Sequence, residues 1–363
     1  MKKSLFTGLI ALAALTMTSC SNDENMVSIP QGNAIEFGTY VGRDAQTRAS
    51  VFETADMQTA GFGVYAYYTA LSTWADYTSK DTPNFMNNTK VTWNSSKWEY
   101  APVKYWPNNP NDKVSFFAYA PWQENTASSN ITLNAGAASL DFKVPNDVTE
   151  QTDLTWSSSE HMDETKQSIS GQVKFLFKHA LARIDFTLQA AVDQISAGGT
   201  IAEGTTITLK KIVLGTETNG FYTKGTLDLT KATATWFGSS LIGRQAFTLL
   251  PANFVADSNV LDNTDNAKAN LIDPDGDDYI MIIPQKKENL SVYVEYTVNT
   301  ESGGTDNSKI DNKITTVIPS IDFQAGKAYT LNLVLGMNSV KLDASVDDWT
   351  GVADTEVDLP GNV

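Results

Sequence analysis

The sequence predicts an all-β protein made of two sandwiches. Three observations carry that expectation. Segments of five to nine residues rich in Val, Ile, Phe, Tyr and Thr recur, set apart by Asn, Asp, Gly, Ser and Pro. No long stretch repeats its apolar residues at a helical period. A glycine-rich stretch at 196–204 divides the strands into two groups and reads as a linker. The 363 residues, 41% hydrophobic and 10% aromatic, can fill two cores. With a single cysteine, the chain has to hold together by packing and sheet hydrogen bonds.

The N-terminus comes first. Met1-Lys2-Lys3 is a positive n-region, and residues 5–15 (LFTGLIALAAL) form an apolar stretch too short to span a bilayer as a stable helix. It reads as a signal peptide. Thr18-Ser19 before Cys20 resembles the lipobox at which bacterial lipoproteins are cleaved and acylated, which makes Cys20 a lipid attachment point. Fatty chains such as palmitate contribute about 0.8 kcal/mol per buried CH2, so several together hold a protein almost permanently. A soluble secreted protein with a chance cysteine in its leader is the alternative. The polar stretch Ser21-Asn22-Asp23-Glu24-Asn25 resembles the export tag of surface lipoproteins, although any solvated tether would be polar.

The strands follow. Ile35, Phe37, Thr39 and Val41 alternate with Glu36, Gly38, Tyr40 and Gly42, the pattern of a strand with one buried face. GFGVYAYYT (61–69), KVSFFAYAP (113–121) and SLDFKV (139–144) continue the first sandwich. In VKFLFKHALARIDFTL the apolar residues Val173, Phe175 and Phe177 are odd-numbered, while Ile184, Phe186 and Leu188 are even-numbered. A slip of one residue turns every side chain over, so the chain is expected to bulge or bend between His179 and Arg183. The second sandwich is expected from TITLKKIVL (206–214), GFYTKGTLDL (220–229), AFTLLP (246–251), YIMIIP (279–284), SVYVEYTV (291–298), KITTVIP (313–319), AYTLNLVL (328–335) and VKLDASVDDW (340–349).

Charge and motifs exclude several functions. The net charge is -16, and -18 once Lys2 and Lys3 leave with the leader, so phosphate backbones are repelled and no nucleic-acid partner is expected. Only two histidines, His161 and His179, are present, too few for a three-imidazole metal site. DPDGDD places Asp273, Asp275 and Asp277 like the opening of a calcium loop. Its Gly276 is at the fourth position instead of the sixth, and Pro284 stands where the bidentate glutamate belongs. An acidic turn before a strand explains it. G-x-S-x-G, P-loop and H-E-x-x-H motifs are lacking, and Asp347-Asp348 point to opposite faces of a strand. No catalytic residue, metal or cofactor is expected. The aromatic cluster Trp93, Trp98, Tyr100, Tyr105, Trp106, Tyr119 and Trp122 would suit sugar stacking if exposed, or core burial if WEYAPVKYWP is a hairpin.

Several phrases resemble the fimbrillin (Mfa-like) family of surface lipoproteins and pilus subunits. They are the lipobox at Cys20, IEFGTYVG followed by Arg48, GFGVYAY, WEYAPVKYWP leading into VSFFAYAPW, FKHALARIDF, IIPQ at 282–285, and SVDDW followed by Gly351. The resemblance implies two tandem transthyretin-like β-sandwich domains and assembly by strand exchange without catalysis. The chain then divides into a lipoprotein signal at 1–20, a tether and removable first strand at 21–48, and sandwiches at 49–195 and 196–363. Polymerising members are cut after an arginine by a trypsin-like protease, a position that Arg48 and Ala49 match. Cutting there would free the strand carrying Ile35, Phe37, Thr39 and Val41 and leave a groove for another subunit's strand. Four inward residues would contribute at most about 10 kcal/mol. On the residues alone, 35–41 reads as the permanent first strand of the sandwich and Arg48 as a solvated loop residue; only the resemblance makes the removable strand an equal reading. The family's donor is the C-terminal segment, here TEVDLPGNV, where Val357 and Leu359 alternate but Pro360 removes a ladder donor. The expected partners are other fimbrial subunits, the processing protease and, through the lipid anchor, the outer membrane, with the fimbrium as destination after processing. The alternative is a surface lipoprotein that binds glycan or host protein and never polymerises. A β-sandwich hydrolase would need paired carboxylates about 5–10 Å apart, which the sequence does not reveal.

Overall fold

The computed structural model describes residues 33–41, 54–134, 138–157, 159–169, 172–191, 201, 203–262, 269–271, 279–302, 306–348 and 355–357. Among them strands dominate, organised into four sheets, and the one α-helix is Thr54–Ala60. A seven-stranded sheet runs, edge to edge, through Glu36–Val41, Gln172–His179, Thr155–Ser157, Lys113–Ala120, Phe62–Ala70, Met86–Trp93 and Trp98–Glu99. Its strands Phe62–Ala70 and Lys113–Ala120 are buried on both faces. Phe62, Val64, Phe116 and Ala118 enter one core; Tyr65, Tyr67, Phe117 and Tyr119 enter another. Double burial is why these two segments read as continuous apolar runs instead of alternating ones. Met57 of the helix closes the smaller core together with Trp98, Tyr100 and Trp106.

The larger core is shared by the remaining sheets. In a six-stranded sheet Ala182–Ala190 lies parallel to Lys327–Leu335, followed by Val340–Asp348 and Thr355–Val357 at the edge. A five-stranded sheet holds Phe247–Leu249, Thr205–Leu214 and the long hairpin of Gln285–Ser302 with Asp306–Phe323. The fourth sheet joins Thr235–Trp236, Phe221–Asp228, Ser139–Lys143 and Ile131–Asn134.

The expected all-β sandwich architecture is what is found. The chain bends at Leu181, between His179 and Arg183 as expected, and the bend carries it from one sheet to another. Gln172–His179 belongs to the seven-stranded sheet and Ala182–Ala190 to the six-stranded one, with fully buried Ala180 and Leu181 between them. Changing sheets exchanges the buried set from Val173, Phe175 and Phe177 to Ile184, Phe186 and Leu188, every one at most 1% exposed. Strand pairing also crosses the expected 195/196 boundary, from Ala182–Ala190 to Lys327–Leu335, Ile280–Ile282 and Ala269–Asn270 and from Ser139–Lys143 to Phe221–Asp228.

Several elements escaped the sequence reading, among them the strands Met86–Trp93, Ile131–Asn134 and Thr155–Ser157 and the helix Thr54–Ala60. Met86–Trp93 (MNNTKVTW) is a strand that buries only Met86 and Val91, so its pattern is mostly polar. The helix is seven residues long, below the length at which a helical period shows.

Candidate functional site

The alternation of IEFGTYV builds an edge. Among the described residues Glu36–Val41 pairs on one side only, in parallel with Gln172–His179, from Glu36 opposite Gln172 to Val41 opposite Phe177. Just before it, 33–35 lies against the segment 104–106. There Ile35 N–H donates to Lys104 O at 2.9 Å and Trp106 N–H to Asn33 O at 2.9 Å. Tyr100 Oη donates to Ile35 O at 2.8 Å, and burial pushes that phenol up to about 12, so it remains a donor at neutral pH.

Below the strand lies an aromatic floor. Phe37, 2% exposed, stacks on Phe175 with centroids 5.5 Å apart. It meets Phe62 and Phe116 edge-on at 6.2 and 6.1 Å and Tyr100 at 5.1 Å. Such geometry favours rings beyond their area alone. Ile35 is buried beside them. Thr39 is only half-buried, and its Oγ1 has no hydrogen-bond partner among the described residues. Val41 pairs through its backbone with Phe177. Of the four inward residues, Ile35 and Phe37 therefore carry the anchoring shown, about 3–6 kcal/mol as an upper bound.

The remaining expected positions are dispersed. Cys20, Arg48, Ala49, Leu359 and the DPDGDD turn lie outside the described residues. Val357 ends Thr355–Val357, which pairs antiparallel with Val340–Asp348, Val357 opposite Ala344. This C-terminal strand and the first strand are edges of two different sheets.

Of the aromatic cluster, Trp106 and Tyr119 are buried. Trp98 sits edge-on against Phe62 at 4.9 Å and against Trp93 at 5.3 Å. Trp122 Nε1 donates to Asn88 O at 3.3 Å under the Lys90 ammonium. Only Tyr105 of the seven is exposed, and only by 38%. These rings build core and hairpin and do not form an open sugar platform.

The histidines are held structurally. His179 Nδ1 lies 2.6 Å from Asp153 Oδ2, the two side chains 9% and 6% exposed. His161 lies between Glu164 and the Lys174 carbonyl. Among the described residues, no group of three or more His, Cys, Asp and Glu is placed to hold a metal, and no helix is long and apolar enough to cross a membrane. Sequence reasoning missed His161 and Glu164 because a histidine three residues before a glutamate has no specific pattern.

Comparison with known proteins gives this arrangement its context. Fimbrium subunit Fim1C of Phocaeicola vulgatus is 28% identical over 97% of this chain and 98% of its own length. A crystal structure of a fimbrial protein from Bacteroides vulgatus superposes with a TM-score of 0.70 at 24% identity, covering 87% of this chain and 99% of that one, and so shares the fold. The fimbrillin-like family model matches residues 47–349, beginning just after the first strand. By that match across most of its length, the chain belongs to the fimbrillin-like family.

Proposed function

We propose that this chain is a fimbrial subunit or fimbria-associated adhesin, exported as an outer-membrane lipoprotein through Cys20 and assembled by donor-strand exchange after cleavage between Arg48 and Ala49. The observation that carries the reading is the first strand. It is a sheet edge ahead of Arg48, anchored by Ile35 and Phe37 over an apolar floor. Its departure would strip the ladder partners from 172–177 and open the pit around Phe37. A strand from another subunit would restore both, by β-augmentation. Fim1C, a fimbrium subunit by name and similar over nearly its whole length, supports placement in surface fimbriae with other subunits as partners. A trypsin-like protease would act at Arg48, and the net charge of -16 disfavours nucleic acid.

The second reading, a lipoprotein that stays monomeric and binds glycan or host protein, draws on the C-terminus. There Pro360 and Gly361 weaken the donor candidate of Val357 and Leu359. Mild trypsin treatment of the purified precursor separates the two. Strand exchange predicts a ladder of SDS-resistant oligomers whose N-terminus is Ala49; a clean cut at Arg48 that leaves only monomer would remove the mechanism.

A further inference from the structure

The sheet that carries the first strand has a gap. Thr155–Ser157 bridges Gln172–His179 to Lys113–Ala120, but it reaches only from His179 to Phe177. Nearer Gln172, where the first strand lies, the space is filled by residues 159–164. The backbone of Glu164 makes both hydrogen bonds of a bridge with Val114, at 2.8 and 3.0 Å. Asp163 N–H donates to Ser115 Oγ at 3.0 Å. On the other side of the gap, His161 Nε2 lies 2.7 Å from Lys174 O and Nδ1 lies 3.1 Å from Glu164 Oε1. Lys174 is the residue opposite Gly38 of the first strand. The His161 ring meets Phe175 edge-on at 5.5 Å, and Phe175 is the ring on which Phe37 stacks. Lys166, from the same segment, donates to Asn33 Oδ1.

The protonation state follows from the partners. A carbonyl oxygen only accepts, so Nε2 must carry a hydrogen; an ionised carboxylate only accepts, so Nδ1 must carry one too. Both bonds exist together only in the imidazolium. A ring neutral at Nδ1 turns its lone pair toward the Glu164 carboxylate. The two side chains are 13% and 14% exposed, which limits solvent screening.

We propose that His161 is a pH-sensitive latch on the first strand: charged, it ties the strand beneath Ile35 and Phe37 into the sheet, and neutral, it drops one bond and frees that edge for exchange.

The surrounding charges set the direction. Burial alone would lower the His161 value, but the hydrogen bonds to Glu164 and the Lys174 carbonyl and the charges of Glu164 and Glu160 outweigh it and raise it. Burial alone would raise Glu164; its bonds from His161 and Ser168 lower it instead. Lys113–Ala120 faces the pair with the Val114 backbone, and Gln172–His179 with the Lys174 carbonyl and the Phe175 ring. A group raised in the folded state stabilises it below the unfolded value and loses that contribution as pH rises through the folded value. The latch is therefore closed in acid and opens as the pH rises through the raised His161 value.

This deepens the assembly reading and rests on it only for the consequence in exchange. The latch itself is measurable in the intact full-length chain, by amide hydrogen exchange over 33–41 and 172–177 corrected for intrinsic rates. Between about pH 6 and about pH 9 protection should fall about tenfold, the effect of losing one charge-assisted hydrogen bond. His161→Gln, which keeps one hydrogen bond and no charge, should abolish the pH dependence, and Glu164→Gln should move its midpoint lower. Nitrogen-15 titration of the wild-type ring needs no variant: an imidazolium at pH 6 supports the latch. A neutral ring at that pH, or protection that does not change with pH, overturns it. Protection that varies with pH in a protein that forms no SDS-resistant oligomers would keep the latch and remove the assembly reading. Oligomers with pH-independent protection would do the reverse.

Discussion

Phe37 is the residue on which the first strand turns. It touches four aromatic rings, Phe62, Tyr100, Phe116 and Phe175, all of them in the floor that stays behind if the strand leaves. Truncation would leave a cavity that close-packed rings cannot fill. Phe37→Ala should therefore lower global stability by about 3–5 kcal/mol, read from urea unfolding of the intact chain with unchanged m-value. A loss below about 1 kcal/mol would show that the edge is already open in the native state and needs no anchor. Alternation with Glu36 and Gly38 made the inward set legible in the sequence. The same rule placed Thr39 inward, yet Thr39 is half-buried, because alternation assigns a face but not how deeply that face is covered.

Elements were legible in proportion to how regular their burial is. The strand Thr205–Leu214 matches TITLKKIVL within a residue, although a bulge between Leu209 and Lys211 moves its buried set from Thr205, Ile207 and Leu209 to Ile212 and Leu214. The hairpin was read as 291–298 and 313–319, although its strands are 18 residues each. One reason is a change of buried face. Before Asn289, Gln285 and Lys287 point inward; after it Leu290, Val292, Val294, Tyr296 and Val298 do. On the partner strand Phe323 and Ile321 give way to Ile318 across Pro319. Asn289, with φ of 50°, makes that switch by entering the left-handed region, which asparagine tolerates better than other non-glycine residues. The switch also carries Lys287 inside, where its ammonium donates to Gly220 O at 2.7 Å, and no charge pattern announces such a lysine. Asn289→Gly should be neutral or mildly favourable, whereas Asn289→Val should cost about 1–2 kcal/mol in thermal or urea unfolding. Equal stability of the two variants would mean that the face change is imposed by packing alone.

At the scale of the whole molecule, the glycine-rich stretch at 196–204 suggested a division that strand pairing does not respect. Local pattern identifies strands, but which strand pairs with which is decided by contacts far apart in the chain. Thr187 and Asn332, hydrogen-bonded at 3.0 Å across the parallel pair, are 145 residues apart. Such contacts exact loop-closure entropy before they give anything back, so neither partner is stable while the other is missing. Residues 49–195 alone would hold Ala182–Ala190 with no sheet to join, exposing Ile184, Phe186 and Leu188, and Ser139–Lys143 would lose Phe221–Asp228. Residues 196–363 alone would lose the strand between Lys327–Leu335 and Ile280–Ile282. Produced separately, the two fragments are expected to aggregate or to unfold without a cooperative transition. Co-expressed, they should form a soluble complex that melts in one step, because one core runs through both. Two fragments that each melt cooperatively on their own, at the temperatures seen in the intact protein, would show that the crossing strands add little and that the boundary at 195/196 is a true domain border.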